Sequence, residues 1–277
     1  MPATLSFTHT TRSGAAHPVT VEYERRGAGE PLLLLHGIGH HWQAWEPVLD
    51  LLSPERDVIA VDLPGFGRSP ALPEGVSPGV PGMVPVLAAF CAELGVERPH
   101  VAGNSLGGLL ALGLGHAGRA RSVTALSPAG FWTGSERRYA FGVLRGMRAG
   151  ARALPLPAVE LLARSAAGRA ALTSTIYARP GRRTPAATVA ETRALRDAPA
   201  FADTLAAGRG TLFTEDVPGV PVTIGWGSRD RLLIPRQGVR AKKTIPGARL
   251  VRLTGCGHVP MNDDPALVAR VLLDGSH

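Results

Sequence analysis

The chain has 277 residues and a formal net charge of +8, with 44% apolar and 5% aromatic residues. That length fits one α/β domain carrying an insertion, and the apolar share fits a globular core built mostly of Leu, Val and Ala. The arginines are scattered, without runs of like charge or interleaved aromatics, which argues against nucleic-acid binding.

The two cysteines, Cys91 and Cys256, supply neither a disulfide framework nor a metal quartet. Met1-Pro2-Ala3-Thr4-Leu5 lacks the basic start and apolar segment of a signal peptide. The apolar run Leu32 to Leu35 is far too short to span a bilayer. A cytoplasmic protein without membrane insertion is expected, as monomer or homodimer.

Val19 to Tyr23 alternates and reads as the first strand, closed by a turn at Arg26 to Glu30. Leu32 to Leu35, ending at His36-Gly37, fits a strand buried on both faces of a parallel sheet. Trp45, Val48, Leu49 and Leu52 repeat at helical spacing. Asp57 to Val61 is the next strand, and a turn-rich loop follows from Asp62. After the Pro/Gly-rich stretch Pro70 to Pro81, Val84, Leu87, Ala88, Cys91 and Leu94 mark one helix face, so Cys91 reads as core. His100 to Ala102 is a strand, Gly103 to Gly108 a turn, Leu109 to His116 a helix and Ser122 to Leu126 another strand.

From about Phe131 to Phe213 the chain is rich in Ala and Arg and looks helical, with breaks at prolines such as Pro155, Pro180 and Pro199. Strand and helix then alternate again: Val220 to Trp226, Gln237 to Thr244, Arg249 to Leu253, and a last helix started by Pro265. Such alternation predicts an α/β fold with a mostly parallel sheet covered on both faces. The domain reading is a core of residues 1–128 and 216–277, with a helical cap inserted at 129–215.

Gly103-Asn104-Ser105-Leu106-Gly107 lies between a predicted strand and a predicted helix. A strained strand-to-helix turn projects a serine hydroxyl outward, and the glycines remove side chains that would collide. Serine needs a base near neutral pH, and His258 in Gly255-Cys256-Gly257-His258 is the best placed of nine histidines. The orienting carboxylate is assigned to Asp230, in the loop after the Val220 to Trp226 strand. Each of the three residues follows a different strand, at the sheet edge where sites assemble. Asp62 reads as a brace. Asp263 and Asp264 read as the start of the last helix. The oxyanion hole would use the backbone N–H groups of Ile38 and Leu106. His36-Gly37 is either part of that loop or an ordinary strand end with a hydrogen-bonded histidine.

With these pieces in order, the chain resembles the α/β-hydrolase superfamily over nearly its whole length outside the central insertion. The matching runs are His36-Gly37-Ile38-Gly39, Asp62-Leu63-Pro64-Gly65-Phe66-Gly67-Arg68-Ser69, Gly103 to Gly108, Gly227 to Asp230 and Gly257-His258-Val259-Pro260. The resemblance implies an eight-stranded sheet, a helical cap between strands six and seven, and no metal or organic cofactor. It also implies that Ser105, where epoxide hydrolases and haloalkane dehalogenases carry aspartate, argues against both.

The leading expectation is hydrolysis of a small-molecule carboxylic ester through an acyl-enzyme. Carbon–carbon bond hydrolases resemble the Gly-Asn-Ser run, but they usually follow the histidine with Trp where Val259 stands. The resemblance is also compatible with a cofactor-free haloperoxidase or perhydrolase, a non-hydrolytic ligand binder, and a biosynthetic lyase or cyclase. Trp42, Phe131 and Trp132 are either pocket lining or core. The arginines of the cap, among them Arg137, Arg138, Arg145, Arg148, Arg152 and Arg164, are either a solvated face or an attraction for a carboxylate-bearing substrate.

Overall fold

A computed structural model describes residues 2–11 and 13–277; Met1, which opens the N-terminal stretch expected to carry no signal peptide, lies outside them. β1 (Ala3–Thr10) and β2 (Ala16–Arg26) form a hairpin, followed by β3 (Glu30–Leu35), α1 (Glu46–Leu52) and β4 (Arg56–Val61). Then come α2 (Val80–Glu93), β5 (His100–Asn104), α3 (Leu106–His116) and β6 (Ser122–Leu126). The helical segment holds α4 (Gly134–Ala153), α5 (Leu156–Ala163), α6 (Ala166–Thr173), α7 (Pro185–Asp197) and α8 (Phe201–Ala207). β7 (Val222–Gly227), α9 (Arg236–Thr244), β8 (Arg249–Leu253), α10 (Pro260–Asp263) and α11 (Pro265–Asp274) complete the chain.

Among the described residues one sheet of eight strands runs β1-β2-β4-β3-β5-β6-β7-β8. β2 is antiparallel to both β1 and β4, and all later pairings are parallel. The four leucines of β3 are at most 1% exposed, because this central strand has neighbours on both edges and helices over both faces. No helix among the described residues is long and apolar enough to cross a membrane.

Three local features differ from the sequence expectation. β1 is an additional strand. Its inward side, Leu5, Phe7 and His9, alternates with Ser and Thr and packs only one face. α2 begins at Val80, four residues before its apolar stripe, because Pro81 fits the first helical turn and Pro85 is carried inside the helix. Asp264, not Asp263, caps α11, accepting from the Leu267 amide at 3.1 Å. Cys91 is buried core as expected, and burial pushes its thiol up to about 12.

Candidate active site

Ser105 joins β5 directly to α3 with φ 57° and ψ −114°, outside the ordinary helical and extended regions. This strain needs small neighbours. A Cβ on Gly103 would lie 2.0 Å from the Gly107 carbonyl oxygen, and one on Gly107 would lie 2.0 Å from that of Leu35. No side chain fits at either position. Ser105 is 8% exposed, and among the described residues its hydroxyl makes no hydrogen bond. As the first residue of α3, Leu106 carries an N–H with no partner inside the helix.

His258 follows β8 and is buried, with its Nδ1 2.8 Å from Asp230 Oδ2. Asp230 follows β7; its Oδ1 accepts from the amides of Leu232 and Leu233 at 2.9 and 2.8 Å. The carboxylate is thus an acceptor throughout, so Nδ1–H donates and Nε2 of a neutral ring keeps its lone pair. The two loops approach closely: a Cβ on Gly227 would meet the Gly257 carbonyl oxygen at 2.0 Å.

Behind these residues lies a set of braces. His36 Nε2 accepts from the Leu63 amide at 3.0 Å, so its Nδ1–H donates to the Gly37 carbonyl at 2.7 Å. Burial lowers the His36 pKa to about 3, which keeps the ring neutral. Asp62 accepts from the amides of Trp42 at 2.6 Å and Arg68 at 2.8 Å, tying the loop after β3 to the loop after β4. Asp263 departs from the sequence expectation of a helix start. Fully buried, it turns back to accept from the Gly257 amide at 2.7 Å and from Ala178 and Arg179 at 3.0 and 2.6 Å. It joins the His258 loop to the helical segment.

Ser105 and His258 line a cavity of about 360 Å³, with Ile38 and residues of α4 and α7. Gly146 and Gly150 of α4 face it, and nothing lies within 4 Å of where a Cβ on either would stand. A second cavity of about 60 Å³ also reaches Ser105 and is lined by Leu106, Leu109, Trp132 and Phe141. Ile38, Ser105, Leu144 and Leu232 border both.

Trp132 therefore lines the smaller cavity, its indole N–H donating to the Thr211 carbonyl at 3.2 Å. Trp42 and Phe131 border neither. Trp42 is buried, with its backbone amide held by Asp62, and Phe131 packs on Phe213 with ring centroids 5.7 Å apart. The arginines of the helical segment border neither cavity; Arg148, for example, lies over the Phe201 ring at 4.7 Å. Arg183, buried, is paired with Glu191, whose side chain borders the larger cavity. Burial raises the Glu191 pKa against the pull of that guanidinium. Among the described residues the larger cavity is thus bordered by no uncompensated arginine for an acidic substrate.

A model of the alpha/beta hydrolase family matches residues 32–271. The dihydrolipoyllysine-residue acetyltransferase component of the acetoin cleaving system of Cupriavidus necator is 35% identical over 147 residues. That match takes in 52% of this chain and 38% of the relative, so the chain covers well under half of it. An uncharacterized protein of Mycobacterium tuberculosis is 30% identical, with 96% of this chain and 79% of that protein aligned. Among solved structures, a thermophilic esterase from Thermogutta terrifontis superposes with a TM-score of 0.76 at 20% identity, covering 98% of this chain and 97% of the esterase.

Proposed function

The chain belongs to the alpha/beta hydrolase family, and from that premise we propose that it hydrolyses a small-molecule carboxylic ester through an acyl-enzyme on Ser105. The observation that carries this reading is the His258–Asp230 contact of 2.8 Å beside a serine held at positive φ in the same cavity. Nε2 of His258 takes the hydroxyl proton as Ser105 Oγ attacks the ester carbonyl. The oxyanion is met by the N–H groups of Ile38 and Leu106; neither donates to another group among the described residues. Collapse of the tetrahedral intermediate breaks the bond to the alcohol oxygen, which receives the proton from His258. Water, activated by the same imidazole, then releases the acid. Asp230 fixes the ring and stabilises its cation. Residues 129–215 act in this reading as a cap that shapes the substrate cavity.

Val259, in place of the Trp usual after the histidine of carbon–carbon bond hydrolases, favours the ester reading over that one. The direct test is Ser105→Ala against a panel of short 4-nitrophenyl esters. The variant should lose about a thousandfold or more in kcat. Undiminished turnover would sink the assignment.

A further inference from the structure

We propose that the substrate is an ester of a short acyl group with a bulky, largely apolar alcohol: the acyl group enters the smaller cavity and the alcohol occupies the larger one. This rests on the esterase function proposed for Ser105 and assigns the two sides of the scissile bond.

Ser105 stands where two chambers of unequal size meet. The larger is about 360 Å³ and the smaller about 60 Å³. They differ in chemistry as well as size. His258 borders the larger chamber alone, and Leu106 borders the smaller alone. When the carbonyl carbon is tetrahedral on Ser105 Oγ, it carries the oxyanion, the acyl chain and the alcohol oxygen. The alcohol oxygen leaves with its bonding electron pair and takes a proton from His258, so that substituent points to the side where His258 lies. The acyl chain is left with the chamber that has no histidine.

Deacylation requires the same arrangement. Once the alcohol departs, the larger chamber is vacated, and water can stand beside His258 within reach of the acyl carbon. An acyl chain filling the His258 side would leave the water only the smaller chamber, walled by Leu106, Leu109, Trp132 and Phe141 and out of contact with the base.

Volume then sets the class. The smaller chamber has about one sixth of the room of the larger, so it admits a short chain where the larger admits a ring system. Acetyl to butanoyl groups fit the first, and a ring-bearing alcohol fits the second. The end wall is firm: Trp132 and Phe141 meet edge to face with centroids 5.6 Å apart, and the Trp132 N–H is held by Thr211.

The experiment measures kcat/KM of the intact enzyme on two series. In the first, the alcohol is fixed as 4-nitrophenol and the acid runs from acetate through butanoate to octanoate. In the second, the acid is fixed as acetate and the alcohol runs from ethanol to 2-phenylethanol and 2-(2-naphthyl)ethanol, which have similar acidities. The expected result is a fall of about a hundredfold from butanoate to octanoate and a rise of about tenfold from ethyl to naphthylethyl. Phe141→Ala should move the acyl optimum toward longer chains, and Gly146→Leu should lower the naphthylethyl-to-ethyl ratio. Octanoate matching butanoate, or ethyl acetate surpassing the bulky acetates, overturns the proposal in the unaltered enzyme, whatever the variants do. Reversed preferences with Ser105 labelled by a fluorophosphonate overturn this assignment alone. Absence of turnover in both series, with Ser105 unlabelled, overturns the esterase reading and this assignment with it.

Discussion

The side-chain amide of Asn104 donates to the backbone carbonyl of His258 at 2.9 Å, so the residue preceding the candidate nucleophile holds the loop of the candidate base. The same amide donates to the Leu126 carbonyl at 3.1 Å, which ties β5, β6 and the His258 loop to one nitrogen.

Replacing that nitrogen separates position from chemistry. Asn104→Asp sets an acceptor against two carbonyls and should lower kcat about ten- to a hundredfold, with a smaller change in KM. Asn104→Ala should lower stability by about 2 kcal/mol through two lost buried hydrogen bonds. Steady-state kinetics and urea unfolding check the pair, and an unchanged kcat in both variants would remove the positioning role.

Asp263 supports three backbone amides from two parts of the chain, all within 3.0 Å of its carboxylate. Asp263→Ala leaves those buried N–H groups without an acceptor and should cost about 3–5 kcal/mol. It should also reduce kcat, because Gly257 directly precedes His258. Asp263→Asn, which keeps one acceptor oxygen, should fall between wild type and the alanine variant in thermal unfolding. Equal melting temperatures for all three proteins would contradict this.

Burial pushes the Asp62 carboxyl up from 3.8 to about 6, against the opposing pull of the Arg68 and Trp42 amides. The unfolded chain releases this proton at lower pH than the folded one does. Its contribution to stability is therefore fully present below about pH 4, declines as pH rises toward about 6 and stays at the lower level above that. The change is about 3 kcal/mol at most. Asp62→Asn cannot ionise, so the wild-type minus variant difference in unfolding free energy should decline across that interval. Parallel curves in urea titrations at a series of pH values would show that Asp62 does not carry the effect.

Much of the architecture is legible in the order of the residues. Leu32 to Leu35 of β3 and Val58 to Val61 of β4 are short apolar runs, and strands buried on both faces leave that trace. The candidates Ser105 and Asp230 stand out because each follows a strand buried on both faces, and the candidate His258 because it ends a glycine-rich turn after the exposed edge strand β8. The less legible parts depend on contacts distant in sequence. β1 is defined by its pairing with β2 more than by its own composition. Nearness to His258 in the chain suggests that Asp263 merely starts a helix, yet the carboxylate folds back on Gly257 and reaches Ala178. Trp42 and Phe131 sit near strand ends, as pocket residues often do, but neighbours above them decide whether an aromatic ring faces a cavity or core. The two-chamber division is invisible in sequence, because Leu144 and Leu232, which border both chambers, come from separate parts of the chain.

Gly142, Gly146 and Gly150 stand one turn apart on α4, each with open space where a side chain would begin. Glycine inside a helix costs about 1 kcal/mol relative to alanine. At positions 146 and 150 that missing side chain is also room in the larger cavity. Adding a methyl group there would strengthen the helix and narrow the cavity in the same step. Heat resistance and a stricter choice of what the cavity admits would then be reached by the same mutations, and a broad range would be kept only by a protein that stays somewhat softer.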